Sequence, residues 1–353
     1  MDYVSGSVVT AEGIVEGYVA MDRGFIVEVS QGKCPGAPFY TGLIMKPPIN
    51  AHTHCGDAGL KVKDGMSFEE LVAPPNGLKH RYLRETSEDA IRDSMMDYYN
   101  ISVKNGMGGF IDFREGGAEG CRLLRGIPGA VTLGRPTSDE YNYNEVEDIL
   151  CVSDGLGISS ISDLDPKYLE SLADHVRASG KIFAIHASER IREDIDTILS
   201  LDPRFIVHMV KATDSDLLKC ADSEVPIVIC PRSNRYFGSN APISRMIEIG
   251  VDLALGTDNA MLCTPDLRAE AKATGEIAYP DWDDGNLLLN LIATGGSSIV
   301  KPHSDRFLKE GAPAELTVFP FKGELSSKNV LNSSEPILRC GWKNDLQKHI
   351  DRH

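Results

Sequence analysis

The chain has 353 residues, 42% of them hydrophobic and 25% charged, which provides for a sizeable core in one large domain plus a smaller one, or in two ordinary domains. A formal net charge of -16 excludes nucleic acid and acidic membrane surfaces as partners, since both attract basic proteins, and no apolar run approaches membrane-spanning length. The eight cysteines are scattered with no Cys-x-x-Cys pair, and the opening Met-Asp-Tyr-Val-Ser-Gly lacks the basic-then-apolar start of a secretory signal, so a cytoplasmic protein with reduced thiols is expected.

Val8–Thr10, Gly17–Ala20 and Phe25–Val29 are β-branched or aromatic runs broken by glycine and read as strands. They are too few to stand alone. Runs of the same character, Glu315–Phe319 and Pro336–Cys340, lie near the other end. The two ends are expected to form one small β-sandwich from residues 1–42 and 312–353, closed around a central domain of residues 43–311.

The central domain begins with an apolar strand from Ile44 that runs into His52-Thr53-His54 and stops at Gly56. A long Gly- and Pro-rich segment, Asp57 to Arg84, follows; its Leu78–Arg81 stretch would suit a lid with a basic tip, or a solvated surface turn. Ser87 is placed to cap a helix over the next residues. Further apolar runs occur at 109–113, 130–134, 155–159, 182–186, 205–208, 226–230 and 251–258, with a helix expected from Pro166 to about Ser179. Eight strands without polar alternation, separated mostly by helices, suit a parallel sheet covered on both faces and point to a (β/α)₈ (TIM) barrel of the α/β class. An open doubly wound sheet is the alternative, but no Gly-x-Gly-x-x-Gly follows any strand.

Barrel enzymes carry their chemistry at the C-terminal ends of the strands. Successive strand residues point to opposite faces, so His52 and His54 share one side of the first strand. The fifth run ends in His186, the sixth in His208 and the eighth in Asp258. Four of nine histidines thus fall at strand ends. His52, His54, His186 and Asp258 make a set of nitrogen and oxygen donors with room for a water, as a catalytic site for zinc or a similar divalent ion requires. Such an ion lowers the pKa of its water to near neutral and makes hydroxide available.

In Ile49–His54, Ile185–Glu189, Val207-His208, Cys230–Asn234 and Ala254–Asp258 the chain resembles the amidohydrolase superfamily, in the subgroup of cytosine deaminase, the chlorohydrolases and the adenosylhomocysteine and aminofutalosine deaminases. The pieces run from the first strand to the eighth in the family's order. The resemblance implies that His52, His54, His186 and Asp258 hold one metal. It also implies that Glu189 shuttles a proton to a ring nitrogen, that His208 orients the attacking water, and that Asp258 accepts the water's proton. Binuclear members bridge two metals with a lysine or glutamate near the end of strand four; residues 155–160 have neither, so one ion is expected, zinc with ferrous iron as the alternative. The other zinc deaminase pattern, His-x-Glu with Pro-Cys-x-x-Cys, is absent.

The expected substrate is a small heterocyclic amine or amidine that loses ammonia. Hydrolysis of a cyclic amide or a carbon–chlorine bond is the alternative, and a non-catalytic relative would have lost ligands that are all present here. Arg114, Arg135, Arg190 and Arg232 follow strand ends and suggest an anionic substrate group, against the plainer reading that they pair with neighbouring carboxylates. Arg114, Arg232 and Asn234 are the candidate substrate-binding residues. Residues 259–262 differ from the small-residue run of the nucleoside deaminases, and the sequence leaves homo-oligomerisation open.

Overall fold

The computed structural model describes residues 1–63, 65–73, 76–301 and 303–341. Residues 342–353 of the expected C-terminal segment, with His349 and His353, lie outside the described residues.

The N-terminal part folds as β1 (Asp2–Thr10), β2 (Gly13–Asp22), β3 (Phe25–Gln31) and β4 (Tyr40–Met45). Pro47 and Pro48 interrupt the run there, because they offer no N–H to a ladder. The chain resumes as β5 (Ile49–His54), β6 (Gly109–Arg114), β7 (Ala130–Gly134), β8 (Gly155–Ile158), β9 (Ile182–Ala187), β10 (Phe205–His208), β11 (Ile227–Ile229), β12 (Leu253–Leu255) and β13 (Asp258–Asn259). Two further strands are β14 (Leu316–Phe319) and β15 (Leu338–Cys340). The single strand expected from Ile44 to His54 is therefore two strands in two sheets, with Ile44 and Met45 in β4.

From β5 to β12 each strand lies parallel to the next in chain order. The eighth position is split. β12 pairs with β11, whereas β13 pairs with β5, placing Asp258 opposite Thr53 and Asn259 opposite His54. Between them Thr257 N donates to His52 O at 3.0 Å, and the ring closes. Alternate residues fill its inside, among them Ile111, Phe113, Ala184, Val207 and Val228. Their neighbours Phe110, Ile185 and Ile206 face outward onto helices. Both faces are dry, which is why these strands carry no polar alternation.

The helices start and stop on local chemistry. Asp165 accepts from the N–H groups of Lys167 and Tyr168, Pro166 opens Pro166–Ser179, and Gly180 ends it at φ 67°. Ser87 caps Glu88–Lys104, which buries Ile91, Met95 and Tyr98 against Phe110. The segment expected to be irregular holds two helices, Phe68–Leu71 and Leu78–Glu85; the first opens on a reciprocal Ser67–Glu70 capping box. Among the described residues no helix is long and apolar enough to cross a membrane.

The terminal strands form one sheet in the order β15-β14-β4-β1-β2-β3, antiparallel except for β1 against β4. The sheet rolls on itself: Ile26 N donates to Ala312 O, and Gly311 N to Ile26 O, both at 2.8 Å, so edge strand β3 meets the chain just before β14. Val4, Val8, Val19, Ile26, Ile44 and Leu316 share one enclosed face. Strands from both ends meet as expected, and one rolled sheet supplies both walls of the expected sandwich.

Beneath the barrel, the helix Gly296–Val300 rests directly on β5. A Cβ at Gly296 would lie 1.9 Å from Ile49 O, a backbone atom that cannot swing away. Gly296→Ala is expected to push this helix off the first strand and cost about 1–3 kcal/mol, read as a lower urea midpoint.

Candidate active site

His52 and His54 point inward from the end of β5, His186 and His208 arrive from the ends of β9 and β10, and Asp258 from the start of β13. At the same rim Ser188, His208 and Asp258 adopt positive φ (49°, 78° and 57°), a conformation costing roughly 1–3 kcal/mol at a non-glycine residue. The turn imposed there aims side chains into the barrel mouth rather than along the strands.

His52 Nε2 lies 3.3 Å from His186 Nε2 and 3.3 Å from Asp258 Oδ1, and His54 Nε2 lies 3.7 Å from the same oxygen. Four donors around an ion at about 2.0–2.1 Å in a tetrahedron would stand about 3.3–3.4 Å apart. Tautomers sharpen the fit. His54 Nδ1 donates to Phe113 O at 3.0 Å and His186 Nδ1 to Ile158 O at 2.9 Å, since a carbonyl can only accept. Each ring therefore turns the Nε2 lone pair to the centre. Burial pushes His52 down to about 4 and His186 well below its ordinary value, so both rings are neutral. Burial alone would raise Asp258, but the neighbouring His52, His208 and His54 hold it well below the usual carboxylate range. Converging lone pairs around an ionised carboxylate call for a cation. His52, His54 and Asp258 bring their donor atoms close enough to share an ion, as do His52, His186 and His208, and Glu189, His208 and Asp258.

Beside this centre stand His208 and Glu189, with His208 Nε2 3.7 Å from Glu189 Oε1. Asn234 Nδ2 donates to His208 Nδ1 at 3.2 Å, leaving the proton on Nε2, and burial keeps the ring neutral with a pKa of about 4. Glu189 sits in a loop closed by Ser188 N to Glu193 Oε2 (2.7 Å) and Glu193 N to Ser188 Oγ (3.0 Å). Burial, then the charge of Asp258, pushes its carboxyl up to about 8, so the group carries a proton at neutral pH. Glu189, Glu193 and His208 border a cleft of about 770 Å³, open mouth included, within the usual size of small-molecule sites.

No family model matches the chain. Over 76% of its length it is 34% identical to a protein of Archaeoglobus fulgidus that is provisionally named an aminohydrolase, covering 78% of that relative. The chain belongs to this family of aminohydrolases. It is a hydrolase of carbon–nitrogen bonds. A 5-methylthioadenosine/S-adenosylhomocysteine deaminase of Caldicellulosiruptor saccharolyticus is 26% identical over 72% of the chain and 68% of the relative. The fold matches that of a zinc-bound adenosine deaminase from Xanthomonas campestris with a TM-score of 0.68 and 18% identity, over 89% of this chain and 83% of the other.

Within this aminohydrolase two of the four arginines picked out in the sequence, Arg114 and Arg232, do not reach the cleft. Arg114 lies under its floor, with Nη2 donating to Glu115 Oε2 at 2.6 Å and Nη1 3.5 Å from Asp112 Oδ1. Arg232 is engaged with Glu270 Oε1 at 2.7 Å and Thr264 O at 2.6 Å. Asn234 holds His208 and is not part of the lining. The arginines that do line the cleft are Arg135, bonded to Ser159 Oγ at 3.0 Å, and Arg190, which lies 5.0 Å over the Phe68 ring. Two side chains at the centre, both within stretches noted in the sequence, had been given no individual role there. Ser233 donates to Asp258 Oδ2, fixing that carboxylate, and Lys79 lines the cleft from the helix Leu78–Glu85. The Ser67–Glu70 capping box was the available signal that the segment carrying Lys79 is ordered.

Proposed function

We propose that this aminohydrolase releases ammonia from a small heterocyclic amine or amidine, with one zinc ion held by His52, His54, His186 and Asp258. The observation that carries the proposal is the convergence of His52, His54 and His186 Nε2 atoms on the Asp258 carboxylate, with the Glu189 carboxyl beside His208 at the same centre. When bound, the ion lowers the pKa of its water and so supplies a nucleophile at neutral pH.

The residues of the chain do the rest. As water adds to the amidine-like carbon, charge builds on the ring nitrogen, and Glu189 donates its proton there. Asp258 takes the proton released by the water. The Nε2–H of His208 donates a hydrogen bond to the oxygen that becomes attached to the attacked carbon, and Asn234 keeps that tautomer in place. Asp258 then returns its proton to the departing nitrogen, the carboxylate left on Glu189 recovers a proton from the hydroxyl on the attacked carbon, and ammonia leaves. Arg135 and Arg190 are the groups placed to meet a substrate carboxylate or phosphate.

Purified protein should contain about one divalent ion per chain, lose activity on chelation and regain it with zinc. A screen of aminopurines, aminopyrimidines and pterins read as ammonia release tests the reaction. Turnover of cyclic amides or chlorinated rings without any ammonia release would replace deamination with the other hydrolysis, and full activity after chelation would remove the metal from the chemistry.

A further inference from the structure

Lys79 is the second residue of the helix Leu78–Glu85 and is 4% exposed, although lysine is almost never buried without a partner. It is the only fully buried residue of that helix, and with Leu83 half-buried against the Ile91–Met95 cluster it docks this cover on the barrel. An ammonium has three N–H donors. Two of those of Lys79 meet Glu115 Oε1 at 2.7 Å and Asn259 Oδ1 at 3.2 Å, and Asp57 Oδ2 stands 3.9 Å away, within ion-pair range but beyond a hydrogen bond.

Two of the three partners connect to the metal-ligating side chains. Glu115 Oε1 is also 3.1 Å from His54 Nδ1, and its other oxygen accepts from Arg114. Asn259 follows Asp258 and lies opposite His54 in the β13–β5 pairing. A carboxylate behind a ligating imidazole fixes its ring and raises its basicity.

We infer that Lys79 is a positioning residue that docks the helix Leu78–Glu85 onto the shell behind His54 and Asp258, coupling closure of this cover over the cleft to the grip on the metal. The inference rests on the ligand assignment proposed above. Coupling of this kind is reciprocal: the ion steadies the helix by the same factor by which the docked helix tightens the ion.

The test measures zinc affinity by competition with a chromogenic chelator for the wild type, Lys79→Met, Glu115→Gln and the double variant. Amide hydrogen exchange over residues 78–85 is followed with and without zinc. Lys79→Met is expected to weaken zinc about 10–100-fold. The double variant should bind zinc within about twofold of Lys79→Met alone, because Lys79 acts through Glu115. Zinc should slow exchange over 78–85 in the wild type and not in Lys79→Met. Zinc affinity of Lys79→Met within about twofold of the wild type, or effects that simply multiply in the double variant, would overturn the inference. If Lys79→Met does not fold, the wild-type exchange comparison decides: a helix indifferent to zinc overturns the inference while the ligand assignment stands. A wild-type chain that takes up no zinc removes both.

Discussion

Replacing His186 with alanine is expected to leave a folded protein that neither retains a divalent ion nor turns over substrate. His186 is the donor that comes from the far side of the ring; His52 and His54 share β5, and Asp258 is paired to that same strand through β13. Without it, every proposed ligand comes from one edge of the site, and His52 Nε2 loses the lone pair facing it at 3.3 Å. Partners that merely orient a ligand are worth about 10–100-fold in metal affinity, so loss of a ligand should exceed that range. Activity should fall to the level of buffer. Metal content of the dialysed variant checks the first outcome and ammonia release the second, with circular dichroism confirming the fold. Metal retained at the wild-type level would contradict the assignment of His186.

Glu189→Gln separates proton transfer from metal binding. Glutamine keeps the volume and a hydrogen-bonding end, but it has no acidic proton for a ring nitrogen. Glu189 is outside the four proposed ligands, and its loop is held by the Ser188–Glu193 bonds rather than by its own carboxyl. The expected result is unchanged metal content with kcat lowered about 10²–10⁴-fold, the usual contribution of a positioned general acid. A glutamine variant as fast as the wild type would remove Glu189 from the mechanism.

The barrel was legible because its strands are dry on both faces: runs such as Phe205–His208 and Ile227–Ile229 are short, apolar and set apart by capped helices. The site was legible because histidines cluster where such runs end, and because a period of two puts His52 and His54 on one side. What stayed hidden depends on contacts distant in sequence. Ile44 and Met45 join smoothly to the apolar residues after them, and only the missing N–H groups of Pro47 and Pro48 divide β4 from β5. Arg232 looked available because its partner, Glu270, is 38 positions away, and Arg135 has no signal of its own beyond following a strand. Lys79 sits in a stretch that reads as a solvated basic turn; only the tertiary arrangement of Asp57, Glu115 and Asn259 draws it inward.

The split eighth strand has a kinetic consequence. Where Thr53 Oγ donates to the carbonyl of Asp258, the two residues are 205 positions apart, so this seam belongs to the most non-local contacts of the barrel. Contacts of such high order form late, after the loop-closure entropy of the intervening chain has been met. An ion gripped by β5 on one lip and Asp258 on the other rivets the seam once it exists, and does nothing to bring the lips together. It should therefore lengthen the lifetime of the native ring far more than it hastens assembly.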